Sequence, residues 1–276
     1  PDFFRCGKNA ARIMIDQMKH WLKASIQIST YKMYASGLLV SRTFPKDMDA
    51  EFREIYELCK KNTMTSIEKM YALYKAIEYI ADSHIPGDFV ECGVWRGGSA
   101  MAMAYGLLQR NDANRKIFLY DTFAGMTKPS EKDVSIPFSS PAIKVWERMQ
   151  RNNHNEWAFA PLDQVRENMH RTGYPQENVL FVKGKVEETI PETTPSQIAL
   201  LRLHTDWYES TYHELKHLFP LLSNGGVLII DDYGSFTGSK AAVDQYLKEN
   251  DVSIFLNRID RFGGGRLGIK QERKLQ

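Results

Sequence analysis

The stretch that decides the fold is residues 199–234, ALLRLHTDWYESTYHELKHLFPLLSNGGVLIIDDYG. Two apolar runs flank a segment with helical spacing, which is the pattern of two buried parallel strands joined by a crossover helix. His204 and Asp206 follow the first run, and Asp231 and Asp232 follow the second. Because parallel strands end at one edge of a sheet, we expect these four side chains to gather there. They would form a divalent-metal site, a proton-transfer site or both.

The composition is that of an ordinary globular protein. The chain has 276 residues, of which 43% are hydrophobic and 25% charged, enough for one large α/β domain or a domain with an appendage. A net charge of +2 argues against a nucleic-acid partner. Three cysteines without CxxC spacing favour a reducing compartment. Since the chain shows neither a membrane-length apolar run nor a signal-peptide segment, we expect a cytoplasmic protein that does not bind membranes.

Strand and helix patterns alternate regularly from residue 63 onward. Residues 1–62 read as an N-terminal helical extension that packs on the main domain or on a second subunit, so we expect a homo-oligomer. Residues 63–276 predict an α/β domain with a doubly wound, mostly parallel, Rossmann-like sheet. The last two strand patterns surround three consecutive glycines and predict an antiparallel hairpin. This combination is typical of class I methyltransferases that use S-adenosylmethionine.

Residues 123–160 do not fit the alternation of strands and helices. They contain three prolines as well as Trp146 and Trp157. A long irregular segment inside a compact domain is usually a functional lid or is disordered. We therefore predict a substrate lid here, with a loosely ordered surface loop as the alternative.

The segment FVECGVWRGGS at residues 89–99 follows a predicted strand and opens a helix. Its glycines allow the backbone to approach a ligand, and the helix N-terminus favours a carboxylate or a phosphate. Glu91 ends the strand, where an acid can bind the amino group of an amino-acid-like ligand. A tight turn without a ligand is the alternative. The dinucleotide fingerprint GxGxxG is absent, which disfavours a nicotinamide oxidoreductase.

The next predicted strand ends in the sequence YDTF at residues 120–123. An acid at this strand end is well placed to bind the two ribose hydroxyls of a nucleoside, so Asp121 is the candidate. Thr122 adjoins it, and Phe123 could flank an adenine ring. A solvated aspartate without a ligand is the alternative, and it is weakened by the neighbouring glycine loop.

The acidic residues of the opening stretch suggest metal binding and proton transfer. Asp231 and Asp232 are adjacent at a buried strand end, where two carboxylates repel unless they are protonated, hydrogen-bonded or metal-bound. Mg²⁺ is a natural neutraliser, and capping of the next helix is the alternative. Asp206 follows the neighbouring strand and is a reasonable general base for a substrate hydroxyl. Its alternative role is the N-cap of the following helix.

Several segments between residues 63 and 270 resemble one family. They are VECGVWRGGSA, YDTFAGM, GYPQENVLFVKGKVEETIP, IALLRLHTDWYEST, GGVLIIDDYGSFTGSKAAVDQY and GRLGIK. Together they resemble the macrocin O-methyltransferase family, bacterial enzymes that use S-adenosylmethionine to methylate hydroxyls on sugars of antibiotics and related glycosides. The resemblance implies a metal-assisted O-methyltransferase that acts on a small-molecule glycoside or sugar.

The resemblance also implies roles for individual residues. Glu91, Gly93 and Ser99 correspond to the cofactor loop, and Asp121 to the ribose-binding acid. Asp206 corresponds to the general base that takes the proton of the acceptor hydroxyl. The remaining matches are the segment that closes over the cofactor, Met64, Thr65 and Ser66, and two of the three Mg²⁺ ligands, Asp231 and Asp232.

His204 departs from the family pattern. The family usually has DTDWYEST, in which the first aspartate is the third metal ligand, whereas this chain has His204 there. Imidazole binds Mg²⁺ poorly and suits softer metals such as Zn²⁺, Ni²⁺ or Fe²⁺. The open alternatives are weaker Mg²⁺ binding, a different metal, a dispensable metal, and His204 as a base. A further alternative is a cofactor-binding protein with a degraded metal site and little transferase activity.

Overall fold

The computed structural model describes residues 3–35, 44–261 and 263–271, with side chains from residue 15 onward. The helices are α1 (Phe3–Ala35), α2 (Ala50–Cys59), α3 (Ile67–Asp82), α4 (Gly98–Gln109), α5 (Ile143–Met149), α6 (Leu162–His170), α7 (Val186–Thr189), α8 (Tyr208–Leu218) and α9 (Thr237–Glu249). The strands are β1 (Asp88–Cys92), β2 (Ile117–Asp121), β3 (Val134–Ser135), β4 (Ser140–Pro141), β5 (Val179–Lys183), β6 (Ile198–Leu203), β7 (Leu222–Ile230), β8 (Asn257–Arg258) and β9 (Arg266–Ile269). Within the predicted N-terminal extension, residues 1–2 and 36–43 lie outside the described residues. Among the described helices, none combines the length and the apolar character needed to cross a membrane.

Seven strands form one sheet in the order β5-β2-β1-β6-β7-β9-β8. The first five are parallel, whereas β9 is antiparallel to β7 and β8 is antiparallel to β9. The predicted doubly wound, mostly parallel sheet with a closing hairpin is therefore confirmed. The chain runs from β1 to β2 on one side of β1 and later returns to β6 on its other side. A ligand site is expected at such a switch point, beyond the carboxyl ends of the strands.

Helices cover both faces of the sheet, which explains why its central strands are apolar on both sides. All six residues of β6 are buried. One face packs against α2, α3 and α4, and the other against α8 and α9. Helix α2 buries Phe52 and Tyr56 in the same core as α3. This helix therefore belongs to the packing of the main domain.

Helix α1 packs on the segment of residues 123–160 and not on the sheet. Its buried Ala24 shares a cluster with Trp157. The Tyr31 hydroxyl accepts a hydrogen bond from the Ala158 backbone N–H at 3.0 Å and donates one to the Glu156 carbonyl at 3.2 Å. The other side of α1 exposes apolar side chains, among them Met18 and Leu22. The expected second subunit stays a prediction.

The predicted lid is a folded part of the domain. It contains the short antiparallel pair β3–β4 and helix α5. Trp157 meets Trp207 with ring centroids 5.5 Å apart and Phe236 at 6.2 Å, so the lid packs on the starts of α8 and α9. The Trp207 indole N–H also donates to the carbonyl of Thr127 at 2.9 Å. These contacts fix the lid against the carboxyl edge of the sheet.

Candidate active site

The cofactor loop and the turn after β6 touch at the switch point. Gly93 has a φ of 84°, and a Cβ at this position would lie 2.2 Å from the carbonyl oxygen of His204. The His204 backbone N–H donates to the Cys92 carbonyl at 2.8 Å, which continues the pairing of β1 with β6. Only glycine combines this backbone conformation with such a close approach. The cofactor loop and the turn after β6 are therefore packed directly against each other.

A pocket opens above this contact. Four of the predicted cofactor residues line it, namely Met64, Gly93, Asp121 and Thr122, and His204 and Asp206 lie in its wall. The lid closes one side through residues that include Met126, Trp157 and Ala158. Residues 184–187, at the end of β5, close another side. The pocket therefore lies where the sequence predicts a nucleoside ligand.

Asp121 organises the cofactor loop with its carboxylate. Its Oδ2 accepts from the backbone N–H groups of Val94 at 2.7 Å and Trp95 at 3.1 Å. Its Oδ1 accepts from the Phe123 N–H at 2.7 Å. Burial raises the pKa of Asp121, although the three backbone donors oppose that rise. Because a carboxylate has about four acceptor positions, Asp121 keeps capacity for ribose hydroxyls.

Glu91 lies beneath the pocket in a fully buried polar network. Its Oε1 accepts from the Ser99 hydroxyl and from the Arg202 guanidinium. Burial raises the pKa of Glu91, and the Arg202 charge opposes the rise. Its Oε2 has no hydrogen-bond partner within the described part of the chain. Arg202 also donates to the Thr65 hydroxyl at 3.0 Å, which ties the segment before α3 to the sheet.

Two buried cations hold Asp231. Oδ1 accepts from Arg202 at 2.7 Å, and Oδ2 accepts from Lys69 at 3.0 Å. Burial alone would disfavour the carboxylate, but the charges of Arg202 and Lys69 outweigh it and hold the pKa of Asp231 far below its usual range. Burial likewise disfavours the charged form of Lys69, and the Asp231 charge raises the Lys69 pKa in spite of it. Both oxygens of Asp231 are therefore engaged by cations of the protein itself.

Asp206 lies in the turn between β6 and α8 with a φ of 73°. The N-cap of α8 is Trp207, so the alternative role of Asp206 as a helix cap is wrong. Phe236 is likewise the N-cap of α9, which excludes that role for Asp231 and Asp232. Burial, followed by the negative charges of Asp232 and Asp231, raises the pKa of Asp206 well above its ordinary value. A left-handed aspartate with a raised pKa is the kind of outlier that functional sites contain.

His204, Asp206 and Asp232 offer ligand atoms that lie within 4.8 Å of one another. Oδ1 of Asp206 and Oδ2 of Asp232 are buried without a hydrogen-bond partner among the described residues. The His204 ring is held from the other side, because its Nδ1 lies 3.1 Å from Nη1 of Arg202. The predicted ligand Asp231 is close, but its oxygens already accept from Arg202 and Lys69. The four residues of the opening stretch do gather at one edge, as expected.

Five predicted cofactor residues lie outside the pocket wall: Thr65, Glu91 and Ser99, which belong to the network around Arg202, and Ser66 and Phe123. The Ser66 side chain is the N-cap of α3, since its hydroxyl accepts from the Lys69 backbone N–H at 3.3 Å. Phe123 is buried in the core beside Phe181, with ring centroids 6.4 Å apart. Their contact with the cofactor stays a prediction.

The buried cations Lys69 and Arg202 were missed in the sequence. Both are visible in the sequence as charged residues within apolar patterns. Arg202 interrupts an apolar strand, and Lys69 lies among the apolar residues at the start of α3. A charged side chain in a fully buried strand must be paired, so Arg202 implied at least one buried carboxylate partner. The lid residues Met126 and Trp157 carried no comparable motif.

The chain matches the family model described as macrocin-O-methyltransferase (TylF) over residues 17–264. It is 34% identical over 202 residues to 8-demethyl-8-(2,3-dimethoxy-alpha-L-rhamnosyl)-tetracenomycin-C 4′-O-methyltransferase of Streptomyces olivaceus, covering 73% of this chain and 74% of the relative. It is 30% identical over 233 residues to mycinamicin III 3″-O-methyltransferase of Micromonospora griseorubida, covering 83% and 87%. The structure of the O-methyltransferase NovP is similar, with a TM-score of 0.67 and 26% identity over 90% of this chain and 100% of that one.

Proposed function

The chain belongs to the macrocin O-methyltransferase family, and on that basis we propose that it methylates a sugar hydroxyl of a glycosylated natural product. It is an S-adenosylmethionine-dependent O-methyltransferase with the class I fold. The relatives from Streptomyces and Micromonospora are named as methyltransferases of a rhamnosyl-tetracenomycin and of mycinamicin III. The single structural observation that carries the proposal is the carboxylate of Asp206 in the wall of the pocket, one oxygen of which has no hydrogen-bond partner among the residues that the structure describes.

The pocket residues suit S-adenosylmethionine, which supplies an electrophilic sulfonium methyl when it is bound. Asp121 would hold the ribose hydroxyls through its free acceptor positions. Gly93 lines the pocket without a side chain, so a ligand can lie against its backbone. An oxygen of Glu91 that has no hydrogen-bond partner among the described residues lies at the end of β1, just before the same loop. Met64 and the lid residue Trp157 would cover the cofactor and exclude water. We further propose that the lid contacts the acceptor.

Asp206 is the proposed general base. The acceptor oxygen would attack the methyl carbon in line while the sulfur–carbon bond breaks, and the hydroxyl proton would pass to Asp206. The products are a methyl ether and S-adenosylhomocysteine. A base works best when its pKa lies near the working pH, and the raised pKa of Asp206 moves it in that direction. Holding both reactants in line supplies much of the remaining rate.

No step of the proposed reaction passes through a metal ion, because the predicted ligand set does not fit Mg²⁺. That ion requires several oxygen ligands in near-octahedral geometry. Both oxygens of Asp231 accept from Arg202 and Lys69, and His204 offers a nitrogen in place of an oxygen. Within that set, only Asp232 keeps a buried oxygen without a hydrogen-bond partner in the described part of the chain.

The proposed function is tested by methyl transfer to matched acceptors. The protein would be incubated with S-adenosylmethionine and with deoxysugar glycosides, their aglycones, and a simple catechol. We expect mass spectrometry to find one added methyl group on glycosides alone and fragmentation to locate it on the sugar. Methylation of the aglycones or of the catechol, with the glycosides untouched, would contradict the proposed acceptor class.

A further inference from the structure

We infer that the Nε2–H group of His204 occupies the position between Asp231 and Asp232 that the family resemblance assigns to a metal ion, and that Arg202 holds His204 there. His204 is then a positioning residue, and this transferase orders its acidic edge without a divalent metal. This role of His204 rests on the proposed function, because it concerns the site at which that reaction would take place. It concerns hydrogen bonding and ion binding, which are measurable without any acceptor.

Arg202 is fixed in place from all sides. Its side chain is 1% exposed and emerges from the buried strand β6, one residue before the end of that strand. It donates to Glu91, to the Thr65 hydroxyl at 3.0 Å and to Oδ1 of Asp231 at 2.7 Å. Turning the guanidinium away from His204 would break several charge-assisted hydrogen bonds at once. The group that faces His204 is therefore a permanent feature of the site.

This fixed neighbour decides which nitrogen of His204 carries the proton. Nη1 of Arg202 lies 3.1 Å from Nδ1 of His204. A guanidinium has five donors and no acceptor, and it stays protonated in proteins. Nδ1 must therefore accept, which leaves the hydrogen of the imidazole on Nε2. Metal coordination through Nε2 would require that hydrogen to move to Nδ1, directly against an N–H of Arg202.

The Nε2–H group of His204 faces two carboxylates. Nε2 lies 3.4 Å from Oδ2 of Asp231 and 3.5 Å from Oδ2 of Asp232. The N–H group thus lies beside both carboxylates, at distances slightly longer than a hydrogen bond, in the position that a bridging cation would take. A neutral donor suffices there because the charges of Arg202 and Lys69 already compensate those of Glu91 and Asp231.

An aspartate at position 204 would change both the hydrogen-bonding group and the charge at this position. It would remove the donor between Asp231 and Asp232 and add a carboxylate, so the edge would need an external cation. The variant His204→Asp should therefore gain a metal site that the wild type lacks. His170→Asp is the matched control, because it makes the same substitution at an exposed position at the end of α6.

Isothermal titration of Mg²⁺, Mn²⁺ and Zn²⁺ into the protein with bound S-adenosylhomocysteine tests this. We expect no saturable site in the wild type or in His170→Asp. We expect one ion per chain in His204→Asp, bound tighter by about tenfold or more, since affinity for hard cations rises with the number of charged ligands. A stoichiometric site in the wild type that His204→Ala removes would overturn the inference. So would a His204→Asp protein that folds and binds no ion.

Nitrogen-15 NMR of histidine in the wild type is a second test that needs no folded His204→Asp variant. The His204 signal, identified by its absence in His204→Gln, should show a bare Nδ1 and a protonated Nε2, unchanged by added Mg²⁺ or Zn²⁺. A protonated Nδ1, or a shift caused by metal, would overturn the inference. Both tests are independent of turnover, so a failure to methylate glycosides would count against the proposed function alone.

Discussion

Lys69 binds Asp231, the residue that follows strand β7. Its Nζ donates to the Asp231 backbone oxygen at 2.8 Å and to Oδ2 at 3.0 Å, although the two residues are 162 positions apart in the chain. The Lys69 and Asp231 side chains are 7% and 2% exposed. The start of α3 is thereby tied to the acidic edge of the sheet.

Removal of Lys69 should cost far more stability than removal of an exposed lysine on the same helix. Lys69→Met leaves Asp231 short of one buried partner, and breaking a buried pair costs about 3–5 kcal/mol. Lys75→Met is the control: Lys75 pairs with Asp49 and Glu78 but is 48% exposed, so its loss should cost about 1 kcal/mol or less. Urea unfolding measures both, and equal losses would contradict the role given to Lys69.

Gly93→Ala should damage the fold and the cofactor site together. The added methyl would lie 2.2 Å from the His204 carbonyl oxygen, so the loop and the turn after β6 must separate. Gly173→Ala is the control, since Gly173 also has a positive φ, 73°, but meets nothing within 4 Å among the described atoms. Only the backbone strain of about 1 kcal/mol should appear in the control. Thermal unfolding and binding of S-adenosylhomocysteine measure the two effects. Similar behaviour of both variants would contradict the steric argument.

Asp206→Asn should abolish turnover and leave cofactor affinity unchanged. Asparagine keeps the shape of the side chain but cannot take the acceptor proton, and loss of a general base typically costs about 10²–10⁴-fold in rate. Glu209→Gln, an exposed acid on the adjoining first turn of α8, is the control and should retain full activity. Single-turnover kinetics and calorimetry with S-adenosylhomocysteine are the measurements. Near-normal turnover in Asp206→Asn would remove Asp206 from the base role.

Glu214→Gln should stabilise the protein progressively as the pH rises. Glu214 on α8 is fully buried, neither carboxyl oxygen has a hydrogen-bond partner in the described part of the chain, and burial raises its pKa well above the ordinary value. A carboxyl whose folded pKa exceeds its unfolded pKa stabilises the fold only while protonated, so the wild type loses stability as the pH rises through that interval. Glutamine does not titrate.

The gain of Glu214→Gln over the wild type should therefore grow as the pH rises from the ordinary range of a carboxyl pKa towards neutrality and above. Urea unfolding at several pH values measures it. Glu209→Gln serves as the control for removing an exposed carboxylate from the same helix. A constant difference across the pH range would mean that Glu214 is solvated or paired in the folded protein.

The fold was predictable because its signals are local. The apolar runs of β6 and β7 are continuous in the sequence. The glycines around residue 264 indicated the turn of the hairpin. The last strands of the sheet were predicted less accurately. The first strand of the predicted hairpin, at residues 253–257, is reduced to the two residues of β8, because a short edge strand has weak periodicity. The path of α1 across the lid rests on contacts more than 120 residues apart, which no local pattern records.

The site was predictable as far as strand ends define it. Asp121, His204, Asp206 and Asp232 reach the pocket or its edge because the sheet topology places them there. The use of Asp231 was not predictable from spacing, because it depends on Lys69, which comes from a distant helix. The proton position on His204 depends in the same way on Arg202. Spacing in the sequence gives the acids of a site, whereas their partners are set by tertiary packing.

The contact between Tyr31 and Ala158 also bears on synthesis in the cell. The two residues are separated by 127 positions, so at about 5–20 residues per second Tyr31 leaves the ribosome roughly 6–25 s before its partner. During that interval the apolar side of α1 has no surface to cover it. The docking of α1 therefore comes late in synthesis, and slowed elongation before residue 158 should delay it further.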